Sequence, residues 1–277
     1  MSQPINTQAT QIQLMMMYKS MLYNGHQLPH FDEVHFREYS QGGEDGILLF
    51  IFSLIGTTNK KALEICAERG VQCNSTNLII NHGWEGFLFD GSEENVKEGL
   101  KFFRSVQDTK FWPPTFRNAW ITRENINDLV SSCNLEGEID LLSLDIDGND
   151  YWIFEALDVV QPRVFIAEYQ MSWGPDAAIT QRYDADFNIE TYRQENPNVR
   201  YNGVSLRALV NLADKKGLRL VGCERKCYNA VFIRKGLAED IFPTIDPAEC
   251  FGHSMARFMV NWKPEHVSTD DPFWVEV

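Results

Sequence analysis

Short apolar runs alternate along this chain with stretches of helical spacing. Ala62 to Cys66 is an apolar run between polar flanks, which reads as a buried strand. Gly86 to Phe89, Phe116 to Ile121, Ile139 to Leu144 and Val164 to Ala167 read the same way, and Leu218 to Cys223 and Asn229 to Ile233 close the series. Between them, Ser75 to Asn81, Ser92 to Phe103, Glu124 to Ser132, Tyr151 to Leu157 and Ser205 to Lys216 carry helical spacing. Ser92 is placed as an N-cap, with Glu93 and Glu94 in the first turn where carboxylates suit the helix dipole. Gly217 closes the last of these helices. Strands alternating with helices predict βαβ units, hence an α/β fold whose mostly parallel sheet has helices on both faces. The run Leu141-Leu142-Ser143-Leu144 fits a strand covered on both sides. The last two strands, with Lys226 and Tyr228 in the turn between them, predict a terminal antiparallel hairpin.

Upstream, Gln11 to Leu22 has helical spacing, and Gly43 to Leu54 reads as a helix that starts on Glu44 and Asp45 and stops at Gly56. The expected organisation is an N-terminal helical extension (1–36), the α/β domain (37–235) and a C-terminal extension packed on it (236–277). The 277 residues, 44% hydrophobic and 23% charged, suffice for a core without disulfide staples. A net charge of −14 argues against a nucleic-acid backbone or an anionic membrane as partner, since both need clustered Lys and Arg. The six cysteines read as reduced thiols, and Cys223 and Cys227 lack a second Cys/His pair with zinc spacing. Neither a secretory leader nor a spanning segment is visible: the apolar run Ile47 to Ile55 is short and interrupted by Ser53. A cytoplasmic protein is expected, and a homo-oligomer is left open.

In open α/β sheets ligands bind beyond the carboxyl ends of the strands. Three predicted strands end in acids there: Asp90, Asp145 and Glu168. Asp90 is placed to accept hydrogen bonds from a ribose diol, or else to form the turn before Gly91. The cluster Asp145-Ile146-Asp147-Gly148-Asn149-Asp150 is suited to orienting an amine, binding a divalent metal or acting as general base. Its alternative is a turn with capping aspartates. Trp120 ends a predicted strand and is either a purine-stacking face or a packing anchor. His82 faces the cleft or is a cation at a helix C-terminus. The long connection from Met171 to Tyr201 reads as a lid over an acceptor, or as a dimer contact or surface excursion.

Four segments, Tyr39-Ser40-Gln41-Gly42-Gly43-Glu44-Asp45-Gly46, Leu63-Glu64-Ile65-Cys66-Ala67-Glu68-Arg69-Gly70, Phe87-Leu88-Phe89-Asp90-Gly91 and Asp140-Leu141-Leu142-Ser143-Leu144-Asp145-Ile146-Asp147-Gly148, occur in the order and spacing of a known pattern. Together they resemble the FkbM-like branch of class I S-adenosylmethionine (SAM) methyltransferases, from about residue 37 to the C-terminus. The resemblance implies a Rossmann-like, mostly parallel seven-stranded sheet, SAM as cofactor and methyl transfer to a hydroxyl of a small molecule or sugar. It implies that the turn formed by Glu64, Cys66, Ala67, Glu68 and Gly70 holds the methionine portion. Asp90 and Gly91 then meet the ribose, Ala119 and Trp120 the adenine, and Gln41, Glu44 and Asp45 cover the cofactor. Asp145 and Asp147 lie beside the transferred methyl as catalytic carboxylates, or as ligands of a metal such as Mg2+. The family's glycine positions are Cys66, Glu68 and Gly70 here, and Glu68 and Arg69 stand where Gly and commonly Asp are expected. That departure keeps open a non-catalytic binding or scaffolding relative, or a pocket for another nucleotide-like ligand.

Overall fold

The computed structural model describes residues 7–196, 203–252 and 273–277. Its strands are β1 (Lys61–Ile65), β2 (Glu85–Asp90), β3 (Thr115–Asn118), β4 (Gly137–Leu144), β5 (Val160–Glu168), β6 (Ile179–Gln181), β7 (Leu218–Cys223), β8 (Asn229–Arg234) and β9 (Trp274–Glu276). Its helices are α1 (Gln8–Tyr23), α2 (Phe31–Val34), α3 (Glu44–Ile55), α4 (Thr76–His82), α5 (Glu93–Ser105), α6 (Ile126–Ser131), α7 (Asp150–Ala156), α8 (Ile189–Glu195), α9 (Leu206–Lys215) and α10 (Pro247–Cys250).

Seven strands form one sheet in the order β3-β2-β1-β4-β5-β8-β7. The pairs from β3 through β5 are parallel, and β8 is antiparallel to both β5 and β7. The fold is therefore α/β, Rossmann-like and mostly parallel. The hairpin is present with its order inverted: the later strand, β8, is inserted beside β5 and leaves β7 at the edge. Strand order reverses between β1 and β4, which opens the crevice where ligands bind in such sheets.

The pleat divides the core in two. Leu142 and Leu144 of β4, Phe165 and Ala167 of β5 and Phe232 of β8 face one cluster with α7 and α9. Leu141, Val164, Ile166 and Val231 face the other, with α1, α3 and α4. Period-two alternation of two apolar sets is what a sheet covered on both faces requires. At its amino-terminal end, Asp140 accepts from the backbone N–H groups of Thr58, Asn59 and Lys60 and from the buried Arg163 guanidinium.

Helix α1 packs on α3, and its Gln11 bonds Asn77 of α4 at 3.0 Å and the His82 ring at 2.7 Å. Burial, with Lys60 nearby, pushes His82 down to about 4, so it is neutral at pH 7. It does not face the cleft; it ends α4, as the second reading places it, but as a half-buried neutral link between α1 and α4 rather than a cation. The predicted third strand stops early as well. After Asn118 the chain leaves the ladder, so Trp120 lies beyond the strand rather than at its end. No described helix is long and apolar enough to cross a membrane.

Candidate functional site

Beyond β1 the backbone makes a tight loop in which Cys66, Glu68 and Gly70 have φ of 66°, 44° and 71°. L-residues adopt this region at a cost of roughly 1–2 kcal/mol each. The loop is tied down by Ala67 N–H to Phe89 O (2.9 Å), Glu68 N–H to Asp90 Oδ2 (2.8 Å) and Gly70 N–H to Ala67 O (2.8 Å). Gly70 is favoured on steric grounds too, since a Cβ there would lie 2.6 Å from the Phe103 ring. Glu64 is buried beneath the loop and accepts from Asn74 N–H (2.8 Å), Ser75 N–H (2.9 Å), the Ser75 hydroxyl and the Ser143 hydroxyl (3.2 Å). It joins β1 and β4 to the start of α4.

Asp90 closes β2. Its Oδ1 accepts from Ser92 N–H (2.8 Å) and Asn95 Nδ2 (3.0 Å), and its Oδ2 from Glu68 N–H. A carboxylate offers about four acceptor positions, so roughly one is left for a ligand. Ser92 caps α5 as the sequence predicts, accepting from Asn95 N–H at 3.3 Å.

Beyond β4 the aspartates divide their roles. Asp150 is buried and accepts from Ile146 N–H (2.8 Å) and Gly148 N–H (2.9 Å), so it forms the turn, and burial raises it to about 6. Asp147 sits at the turn's apex with φ 56°, half-exposed, 3.5 Å from Arg193. Asp145 bonds to Glu168 at the tip of β5; burial, then Asp150 and Asp147, push it up to about 8. Burial and the neighbouring carboxylates hold Glu168 well above the usual range as well.

Two adjoining cavities occupy this crevice. The first, about 330 Å3, is walled by Asp90, Gly91, Asn95, Trp120, Ile121, Ile146 and Phe187. The second, about 360 Å3, is walled by Gln41, Glu44, Glu64, Ala67, Gln72, Asp145, Glu168, Tyr228 and Asn229. Cys66, Glu68 and Asp147 line both and separate them. Two expected site residues line neither. Gly70 is packed on Phe103. Asp45 turns back to the preceding loop, where Oδ2 accepts from Glu38, Tyr39 and Ser40 N–H groups at 2.7–2.8 Å. Its neighbour Glu44 reaches the second cavity and bonds Gly42 N–H and Asn229 Nδ2, each at 2.8 Å.

The segment after β6 walls the first cavity. Trp120 Nε1 donates to Ala185 O and Asn149 Nδ2 to Asp184 O, each at 2.8 Å, and Phe187 rests against Gly148. Trp173 packs instead on Trp274 at 5.0 Å, beside the small β6–β9 sheet. Sequence reasoning missed Asn95, Phe187, Tyr228 and Asn229. Asn95 alone carried a local signal, one turn into a capped helix that starts at the crevice. Among the described residues no group of three or more His, Cys, Asp or Glu is arranged to hold a metal ion. Asp145 is engaged with Glu168 and Asp147 with Arg193, which gives no support to the expected Mg2+.

No family model and no curated protein matches the chain. Similar solved structures include an S-adenosylmethionine-dependent methyltransferase from Clostridium acetobutylicum ATCC 824, at 12% identity over 71% of this chain and 93% of that one, TM-score 0.45. PKMT2 from Rickettsia typhi in complex with AdoHcy is 12% identical over 76% of this chain and 55% of its own, TM-score 0.46. Magnesium protoporphyrin IX methyltransferase from Synechocystis PCC 6803 with bound SAM is 12% identical over 85% and 87%, TM-score 0.41. All three likenesses are remote.

Proposed function

We propose that the chain is an SAM-dependent methyltransferase acting on a hydroxyl of a small molecule or sugar. One observation carries this reading. At the three positions where the resembled family has glycine, Cys66, Glu68 and Gly70, the backbone keeps positive φ, and the Glu68 amide is pinned to Asp90. A backbone that glycine adopts most readily is kept although two glycines are gone, which supports the resemblance.

The first cavity suits an adenosine. Trp120, Ile121, Ile146 and Phe187 offer apolar faces, with Asp90 and Asn95 beside them for a ribose. The second cavity suits positive charge, through Glu44, Asp145, Asp147 and Glu168. It suits a carboxylate poorly, because no described residue lining it is basic. When bound, SAM supplies a methyl group on a positively charged sulfur.

The protein's part is positioning and proton handling. Asp147, on the wall common to both cavities, is placed to orient an acceptor oxygen. The Asp145–Glu168 pair keeps its protons at neutral pH, and Asp145 becomes a base for a hydroxyl proton only as pH rises through about 8. The test is incubation with methyl-labelled SAM and a panel of hydroxyl compounds, followed by mass analysis. A product heavier by one methyl, lost in Asp147→Asn, is expected. A folded protein that binds SAM but methylates nothing in a broad panel contradicts transfer. A second reading, a binding protein without transfer, is favoured by Glu68 at the shared wall and by the three protein donors already on Asp90.

A further inference from the structure

One wall of the first cavity is built from a short segment at the surface. Phe187, Asn188, Ile189 and Glu190 line that wall, and they lie between β6 and the middle of α8. Helix α8, Ile189–Glu195, has seven residues, none of them buried. A helix that short is marginal in water unless tertiary contacts hold it. Its Asn188 cap accepts from Thr191 N–H at 2.9 Å, a local bond that fixes no tertiary position. Arg193 meets Asp147 at 3.5 Å, but both side chains are about half exposed, and an exposed ion pair contributes little.

An apolar contact reaches this segment from a distant part of the chain. The Phe273 ring stacks on Tyr192 of α8, with centroids 4.8 Å apart and planes inclined by 14°. It also lies 6.2 Å from Phe187, which is 5.4 Å from Tyr192 and rests against Gly148, beside Asp147 in the turn beyond β4. The rings of Phe187, Tyr192 and Phe273 therefore form one cluster, within the range of about 4.5–7 Å over which aromatic pairs attract.

Phe273 is itself placed by backbone pairing. Its O accepts from Arg182 N–H at 2.7 Å, and the residues after it form β9, in which Trp274 pairs with Gln181, Val275 with Thr180 and Glu276 with Ile179. Trp152 Nε1 donates to Gln181 O at 2.8 Å, which ties β6 to α7. A continuous route thus runs from α7 through β6 and β9 to Phe273, and from there to Phe187 at the cavity. Strand β9 is outside the seven-stranded sheet, so the ring can be removed without taking a strand from the core.

We infer that Phe273 is a positioning residue of the first cavity: it lines neither cavity, but it holds Phe187 and α8 in place as a wall. A wall already in place spares a ligand part of the ordering cost of binding. The use of that wall for an adenosine rests on the methyltransferase reading; the placement of the wall does not.

The experiment compares the native chain with Phe273→Ala, Tyr192→Ala, the double variant and Phe273→Tyr. Each is followed by hydrogen exchange with mass spectrometry and by calorimetry with S-adenosylhomocysteine. Phe273→Ala is expected to speed exchange of the amides of 187–196 at least about fivefold, while β1, β4 and β5 keep their protection. Affinity for S-adenosylhomocysteine is expected to fall about threefold to tenfold. Tyr192→Ala removes the same stack from the other side and is expected to give both changes; it decides the matter if Phe273→Ala loses the protection of the sheet. The double variant should be no worse than about the larger single effect, as for one shared contact. Phe273→Tyr keeps the ring and should behave as the native chain. Unchanged exchange over 187–196 overturns the inference whatever the affinity does. Faster exchange with unchanged affinity overturns it as well, since the wall then does not serve the ligand. No binding of S-adenosylhomocysteine to the native chain overturns the methyltransferase reading instead, and exchange alone then decides the inference.

Discussion

Asp145 and Glu168, at the carboxyl ends of the neighbouring strands β4 and β5, share a hydrogen bond although both are carboxylic acids. Such a bond requires a proton, and the surroundings supply the reason it stays. Both side chains open only partly, into the cavity they line, and Asp147 and Asp150 add negative charge nearby.

This pair makes stability fall as pH rises. Asp145 is raised from the ordinary carboxylate range to about 8, so the folded state holds a proton that the unfolded chain releases near pH 4. The stabilisation is complete below the unfolded value and is lost as pH rises through the folded one. Asp45 and Asp150, at about 6, and Glu224, at about 7, act in the same direction. Thermal melts are expected to show Tm falling between pH 5 and 8. Asp145→Asn should melt about 3–6 °C above the native protein at pH 8 and near it at pH 5. A native Tm that climbs to pH 8 contradicts this.

The loop after β1 stores backbone strain at Glu68, φ 44°. Glu68→Gly removes roughly 1–2 kcal/mol of left-handed strain and adds about 0.5–1 kcal/mol of chain entropy, a net gain of about 0.5–1 kcal/mol. Gly70→Ala goes the other way, combining positive φ with the clash on Phe103, and is expected to cost about 2–3 kcal/mol. Urea melts on the two variants check the signs, and equal midpoints for both would contradict the strain account.

Trp120 is 48% exposed and forms a wall of the first cavity, over Gly91. Trp120→Ala is expected to weaken an adenosine ligand about tenfold while leaving stability within about 1 kcal/mol. Unchanged affinity, measured by fluorescence titration, would move the purine elsewhere.

Arg163 and Asp140 form a buried pair at the far end of the sheet from both cavities. Arg163→Ala leaves Asp140 buried with only neutral donors and is expected to cost about 3–5 kcal/mol. Ligand affinity of the folded fraction should not change. Affinity loss larger than stability loss would show that the two ends of the sheet are coupled.

The alternation of apolar runs and capped helices is local information, which is why β1, β2, β4 and β5 fall within a few residues of their predicted places. The third strand was read too long because Ala119, Trp120 and Ile121 continue its apolar pattern after the ladder has ended at Asn118. The acids at strand tips were legible because a ligand crevice follows from strand polarity alone. Asn229 and Tyr228 were not, since they reach the site through the pairing of β8 with β5, a contact between distant segments. Glu44 and Asp45 show the limit most clearly. One helical step of about 100° sends adjacent acids to different places, Glu44 to the cavity and Asp45 to the Glu38–Ser40 amides.

The most direct measurement is a calorimetric titration of SAM and of S-adenosylhomocysteine into the purified chain, repeated on Asp90→Asn. Binding of SAM at a single site in the micromolar range, weakened at least about tenfold by the substitution, is the predicted result. No binding of either nucleoside to a demonstrably folded protein contradicts the assignment of the crevice to a SAM-dependent methyltransferase.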